Sequence, residues 1–183
     1  NRFDVLRRCG GNAVRTPAKK NLLDAAYQEG LAVMANLPVQ GERNGLDWRD
    51  AEQVAEQKRR VLAVVEELKD HPALLFWSIG NELDHIPGLR SHHPDLWKRL
   101  NDLAVAIKRI DERHPVMTVV RTSRFEQKVQ HIARECPTMD LLGINCYGDI
   151  DSVTKLARTY WPKPYAITEW GPTGHWQLPK TKW

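Results

Sequence analysis

Phe76-Trp77-Ser78-Ile79-Gly80-Asn81-Glu82 takes an apolar run straight into a glycine turn that ends in an amide and a carboxylate. Tyr165-Ala166-Ile167-Thr168-Glu169-Trp170-Gly171 repeats the pattern near the other end of the chain. Around these two stretches, short apolar runs alternate with longer segments of helical period, which argues for strands joined by crossover helices and so for a parallel sheet. Six strands are expected: Asn12 to Arg15, Leu31 to Asn36, Leu74 to Ser78, Val116 to Val120, Leu141 to Tyr147 and Pro164 to Glu169. Their Val, Ile and Leu content without clean alternation suits strands covered on both faces.

Helix faces stand out between them. Val54, Val61, Val65 and Leu68 form one, Leu96, Leu100, Leu103, Ile107 and Ile110 a second, and Phe125, Val129, Ile132 and Cys136 a third. Pro94 suits the first turn of the second helix. Gly30 stops a helix that begins near Asn21, and Gly10 with Gly11 closes an opening helix. Periodicity alone allows an open doubly wound sheet or part of a closed barrel. The loops separate the two: neither Asn12 to Thr16 nor Asn36 to Gly41 carries a GxGxxG or P-loop pattern, and polar and acidic residues gather at the carboxyl ends of the strands. The expected fold class is α/β, a (β/α)8 TIM barrel of which this chain carries about six βα units, as one domain over residues 1–183.

Composition excludes little beyond disorder. Of 183 residues, 42% are hydrophobic and 27% charged, ordinary for a globular chain. The excess of 27 Lys and Arg over 23 Asp and Glu is scattered through helical segments, whereas phosphate binding calls for a concentrated patch; no nucleic-acid partner is expected. No apolar run approaches the roughly 18 residues that span a bilayer, so no membrane partner is expected either. Residues 1 to 30 lack the order of a signal peptide, but a leader lost upstream is compatible with a chain that opens inside a helix, which leaves the compartment open. Oligomeric state is not readable. Cys9, Cys136 and Cys146 have no disulfide or zinc spacing and read as buried small residues.

Glu82 and Glu169 stand 87 positions apart (169 − 82), about three βα units, so they would project from strands on opposite sides of a barrel mouth. A glutamate just beyond a strand is ordinarily a solvated or helix-capping side chain. As a pair they fit glycosidic cleavage with retention, where one carboxyl protonates the leaving oxygen and a second, about 5 to 5.5 Å away, attacks the anomeric carbon.

These residues carry a resemblance to the catalytic barrel of glycoside hydrolase family 2, the family of β-galactosidases, β-glucuronidases and β-mannosidases. Gly11-Asn12-Ala13-Val14-Arg15-Thr16 resembles the family's second strand, Trp77 to Glu82 its fourth, Asp140 to Tyr147 its sixth and Thr168 to Gly171 its seventh. Leu22-Leu23-Asp24-Ala25-Ala26 through Gly30 and Val33 is similar to the helix and strand that follow the arginine. The resemblance implies a retaining β-glycosidase that needs no cofactor and no metal. It implies Glu82 as general acid/base, Glu169 as nucleophile, and Asn81 as a donor to the sugar hydroxyl beside the anomeric carbon. Arg15 and Tyr147 fall on positions that hold the nucleophile ionised, while Glu82 must carry a proton. Arg15 as a structural ion-pair partner and Tyr147 as core packing are the alternatives. The family's first and eighth strands are not visible here, and a six-unit piece would expose strand edges. Pro17-Ala18-Lys19-Lys20 replaces the family's aromatic and proline loop, which implies a differently shaped sugar site.

Other residues are less decided. Seven tryptophans is a high count; Trp170 and Trp176 stack on sugar faces or simply pack, and Trp77 and Trp161 pack helices. Asn145 supports either substrate or Tyr147. His85, His92 and His93 have no convincing ligand spacing, so no metal site is expected. The competing functional class is a carbohydrate-binding barrel without turnover.

Overall fold

In a computed structural model, residues 2–84 and 94–174 are described. Helix α1 (Arg2–Arg8) leads into β1 (Ala13–Pro17), α2 (Lys20–Gln28), β2 (Ala32–Leu37), α3 (Ala51–Leu68) and β3 (Leu74–Asn81). There follow α4 (Leu96–Lys108), β4 (Val116–Arg121), α5 (Phe125–Glu135), β5 (Leu141–Tyr147), α6 (Ile150–Tyr160) and β6 (Tyr165–Gly171). The six strands form one parallel sheet in sequence order, β1 to β6.

The sheet is rolled. Laid flat, β1 and β6 would lie about 24 Å apart, five spacings of about 4.8 Å. Yet Arg15 on β1 donates to Glu169 on β6 at 2.9 Å, which only a curled sheet allows. Six consecutive βα units curled in this way are part of a TIM barrel. Burial follows the curl: every residue of β4 except Arg121 is buried, while β6, at an edge of the sheet, has none fully buried. The expectation of strands covered on both faces therefore holds for the middle of the sheet and not for β1 and β6, whose outer neighbours would be further strands.

The helices cover the outer face as their periodicity dictates. Asp50 caps α3 by accepting from Glu52 N and Gln53 N. Its buried stripe runs through Gln57, Val61, Val65 and Leu68; Val54 is only partly buried because Gln57 reaches the loop after β2, accepting from Gln40 N at 2.7 Å and donating to Gln40 O. Pro94 precedes the N-cap residue Asp95 rather than lying in the first turn of α4. Gly30 ends α2 in the left-handed region, φ 69°, where a side chain would be strained. Trp77 and Trp161 are buried in the core, as expected. Cys9 is not: it lies in the exposed turn after α1, whereas Cys136 and Cys146 are buried. No helix among the described residues is long and apolar enough to cross a membrane.

At the end of the sheet away from the glutamates, Asp111 ties two units together. Its buried carboxylate accepts from Trp77 Nε1 at 2.8 Å, pairs with His114 Nδ1 at 2.7 Å, and accepts from the Arg113 and His114 amides. Burial works to raise its pKa, but these hydrogen bonds outweigh it and hold the carboxyl below the ordinary carboxylate value. A carboxyl depressed in this way stabilises the fold above its unfolded pKa and loses that contribution as pH falls. Asp111→Ala should therefore lower the unfolding free energy by about 2–4 kcal/mol at neutral pH. In urea titrations the gap to wild type should narrow as pH drops below the ordinary carboxylate range; a gap constant from neutral to acid pH would refute the assignment. Thiol labelling provides a second check. Burial pushes Cys136 up to about 12 and raises Cys146, so a disulfide reagent should modify Cys9 in the native protein and the other two only after unfolding.

Candidate active site

Both glutamates emerge where the strand ladder is irregular. On β3 the register with β4 runs Trp77 to Val116 and Ser78 to Met117, then jumps to Asn81 opposite Val119. Thr118 Oγ1 holds the bulged segment by donating to Ile79 O at 3.0 Å. Gly80 takes φ 79° and Glu82 itself φ 51°, a left-handed conformation uncommon for a residue with a side chain. The Glu82 amide is secured to Val119 O at 2.9 Å. On β6 the ladder passes from Ile144 opposite Ile167 to Asn145 opposite Glu169, leaving Thr168 as the extra residue. Bulges of this kind re-aim a side chain at the end of a strand.

Six of the residues singled out from the sequence meet in one hydrogen-bonded chain. Glu169 Oε1 accepts from Arg15 Nη1 at 2.9 Å and Oε2 from Tyr147 Oη at 2.9 Å. Arg15 Nη2 donates to Asn81 Oδ1 at 2.5 Å, and Asn145 Nδ2 donates to the same oxygen at 3.2 Å. Asn145 Nδ2 also donates to Glu82 Oε1 at 2.8 Å. The two carboxylates are thus joined through Arg15, Asn81 and Asn145. Asn145 thereby lies between Asn81 and Glu82.

Two residues of this chain were given no role in the motif reading. Asn36, near the end of β2, accepts from Arg15 Nε at 3.2 Å, so the guanidinium is held on three sides. A rule that polar residues at the carboxyl ends of strands face the mouth would have found it. Thr168 Oγ1 donates to Asn145 Oδ1 at 2.7 Å, while the amide nitrogen of Asn145 donates to Asn81 and Glu82.

The electrostatics of the two carboxylates differ. Arg15 is 15% exposed and Glu169 34%, so the guanidinium is nearly withdrawn from water and its charge is met by Glu169. Burial raises the Tyr147 phenol above its ordinary value, and the hydrogen bond to Glu169 adds to this, so Tyr147 stays a donor through neutral pH. Among the described residues, Glu82 accepts from the neutral amide of Asn145 and has no cation in hydrogen-bond contact.

Trp170, the remaining candidate among the described residues, is not part of this cluster. Trp170 pairs in register with Cys146, one position past the Asn145–Glu169 pair, and its side chain is 68% exposed; strand alternation turns it away from the face that carries Glu169. Trp176 lies outside the described residues, as do His85, His92 and His93. Among the described residues no group of three His, Cys, Asp or Glu side chains could hold a metal ion.

The comparisons with known proteins agree with this architecture. The family model described as glycosyl hydrolases family 2, TIM barrel domain, matches residues 1–174. A β-galactosidase of Psychromonas ingrahamii is 33% identical over 105 residues, which span 51% of this chain and 9% of that protein. A β-glucuronidase 2 of Bacteroides uniformis, covalently bound to cyclophellitol-6-carboxylate aziridine, matches with a TM-score of 0.73 at 16% identity, covering 92% of this chain and 22% of that one. A β-glucuronidase of Ruminococcus gnavus in complex with C6-substituted uronic isofagomine matches with a TM-score of 0.65 at 20% identity, covering 100% of this chain and 33% of that one. At such identities the structural likeness speaks to fold alone, and this chain spans a third or less of each of these relatives. With the sequence match extending over nearly every residue and the rolled six-strand sheet beneath it, the chain belongs to glycosyl hydrolase family 2, in its TIM barrel domain.

Proposed function

We propose that the chain supplies the catalytic residues of a retaining β-glycosidase, with Glu169 as nucleophile and Glu82 as general acid/base, its six units being the second to seventh of an eight-unit barrel. The observation that supports this reading is the unequal treatment of two linked carboxylates: among the described residues, Glu169 is clamped by a guanidinium and a phenol, and Glu82 receives a single amide N–H.

The chemistry follows from that difference. A carboxylate held between Arg15 and Tyr147 stays ionised and is presented to the anomeric carbon. With Oε1 of Glu82 occupied by Asn145, the proton for the leaving oxygen resides on Oε2. In the first step a Glu169 oxygen bonds to the anomeric carbon, the glycosidic bond breaks, and the Glu82 proton goes to the departing oxygen. In the second, Glu82 takes a proton from water, the water oxygen bonds to the anomeric carbon, and Glu169 leaves as a carboxylate with Arg15 and Tyr147 stabilising its returning charge. Asn81 Oδ1 is engaged by Arg15 and Asn145, so its NH2 is the group that would donate to the neighbouring sugar hydroxyl. The substrate is a β-linked carbohydrate; the 33%-identical relative favours a β-galactoside, and a β-glucuronide is the second sugar to assay.

In a polypeptide that supplies the whole barrel, Glu169→Ala should cost turnover at least about a thousandfold. Proton NMR should show the first-formed sugar with its β configuration retained, and inversion would remove Glu169 from the nucleophile role. Glu82→Ala should slow cleavage of unactivated glycosides by about a hundredfold or more. Added azide should restore turnover of the variant on an activated aryl glycoside and yield the β-glycosyl azide; no such product would count against Glu82.

A further inference from the structure

Two residues beyond Glu82, the turn is pinned from an unexpected direction. Asp84 Oδ2 pairs with Lys128 Nζ at 2.6 Å, and the side chains are 6% and 8% exposed, the most buried Lys–carboxylate pair among the described residues. Lys128 comes from α5 and also donates to Arg121 O, at the mouth end of β4, at 2.8 Å. Among the described residues Asp84 Oδ1 is buried with no hydrogen-bond partner, and Lys128 is the cation that meets the carboxylate's charge. A pair withdrawn from water this far is at best weakly stabilising, and removing one member leaves an uncompensated buried charge. Such an arrangement calls for a reason other than stability.

Backbone geometry indicates one. The two non-glycine residues with left-handed backbone among the described residues are Glu82, φ 51°, and Arg124, φ 49°. They occupy the turns after β3 and β4, the same two turns that the Lys128–Asp84 pair bridges. Conformations of this kind persist only where their surroundings over-determine them. The Glu82 amide is anchored to Val119 O on one side; Lys128 supplies the anchor on the other, fixing Asp84 and, through it, the direction in which the Glu82 side chain leaves the turn.

We infer that Lys128, through its buried ion pair with Asp84, is a positioning residue for proton transfer by Glu82. It touches no reacting atom; it holds the strained turn so that the Glu82 carboxyl sits at the leaving oxygen. This rests on the general acid/base reading of Glu82, and the test separates the two. Loss of alignment in a general acid slows substrates in proportion to how much their leaving groups need a proton. A fold defect slows them all alike.

The experiment measures kcat/KM, in a polypeptide supplying the whole barrel, for a phenyl and a dinitrophenyl glycoside of the same sugar. Lys128→Met should lose at least about ten times more on the phenyl than on the dinitrophenyl substrate. Lys128→Arg, which keeps the charge, should recover most of that difference. Lys128→Met combined with Asp84→Leu removes both buried charges; its melting temperature should return toward wild type while the phenyl deficit remains. Equal losses on the two substrates, or a double variant that regains phenyl turnover along with stability, would overturn the proposal and leave the pair a purely structural one. Glu82→Ala is measured beside them: if it too fails to discriminate between the leaving groups, it is the acid/base reading that falls.

Discussion

The ion pair between Arg15 and Glu169 joins the first strand of the sheet to the last, and the rest of the site depends on it. A guanidinium this withdrawn from water needs its charge met and its donors engaged. Glu169 meets the charge, while Asn36 accepts from Nε and Asn81 from Nη2 on the sides facing β2 and β3. One side chain therefore joins four strands, its own included. It can do so only because the sheet is rolled, and the roll in turn brings the edge strands close enough for the pair to form. Curvature and charge placement here are one constraint seen at two scales.

Around that pair the chain uses the same local device twice. Each glutamate follows an irregularity in the ladder, one stabilised by Thr118 and the other by Thr168. A regular strand ending would send successive side chains alternately inward and outward; an extra residue changes which one faces the mouth. The two carboxylates then receive different neighbours, a cation and a phenol for Glu169 and an amide for Glu82. Identical residue types acquire different neighbours from backbone register.

Much of this was legible in the sequence. The cores of all six strands were, because runs such as Val116 to Val120 must be buried on both faces and can be little else. Arg15, Asn81, Glu82, Tyr147 and Glu169 stood out through motifs at strand ends, and the structure brings their side chains into one network. The bulges did not stand out, since they depend on pairing between strands distant in sequence. Lys128 looked like one more basic residue on a polar helix face; only the packing of α5 against the turn after β3 reveals its partner. The position of Trp170 follows from a plainer rule: residues adjacent on a strand face opposite ways, so a tryptophan directly after Glu169 does not share its side of the sheet. Cys9 was assigned by residue type, and its place in a surface turn outweighed that tendency.

The chain of hydrogen bonds from Glu169 to Glu82 has a further consequence. Its intermediate members are a guanidinium and two carboxamides, none of which gives up or takes on a proton under ordinary conditions. It is a mechanical linkage and an insulator at once, transmitting alignment from one carboxyl to the other while offering no route for a proton to pass between them. Had a histidine or a file of water molecules filled the place of Asn81 and Asn145, a proton could pass along the linkage from one glutamate to the other. With amides there, the connection carries position and nothing else.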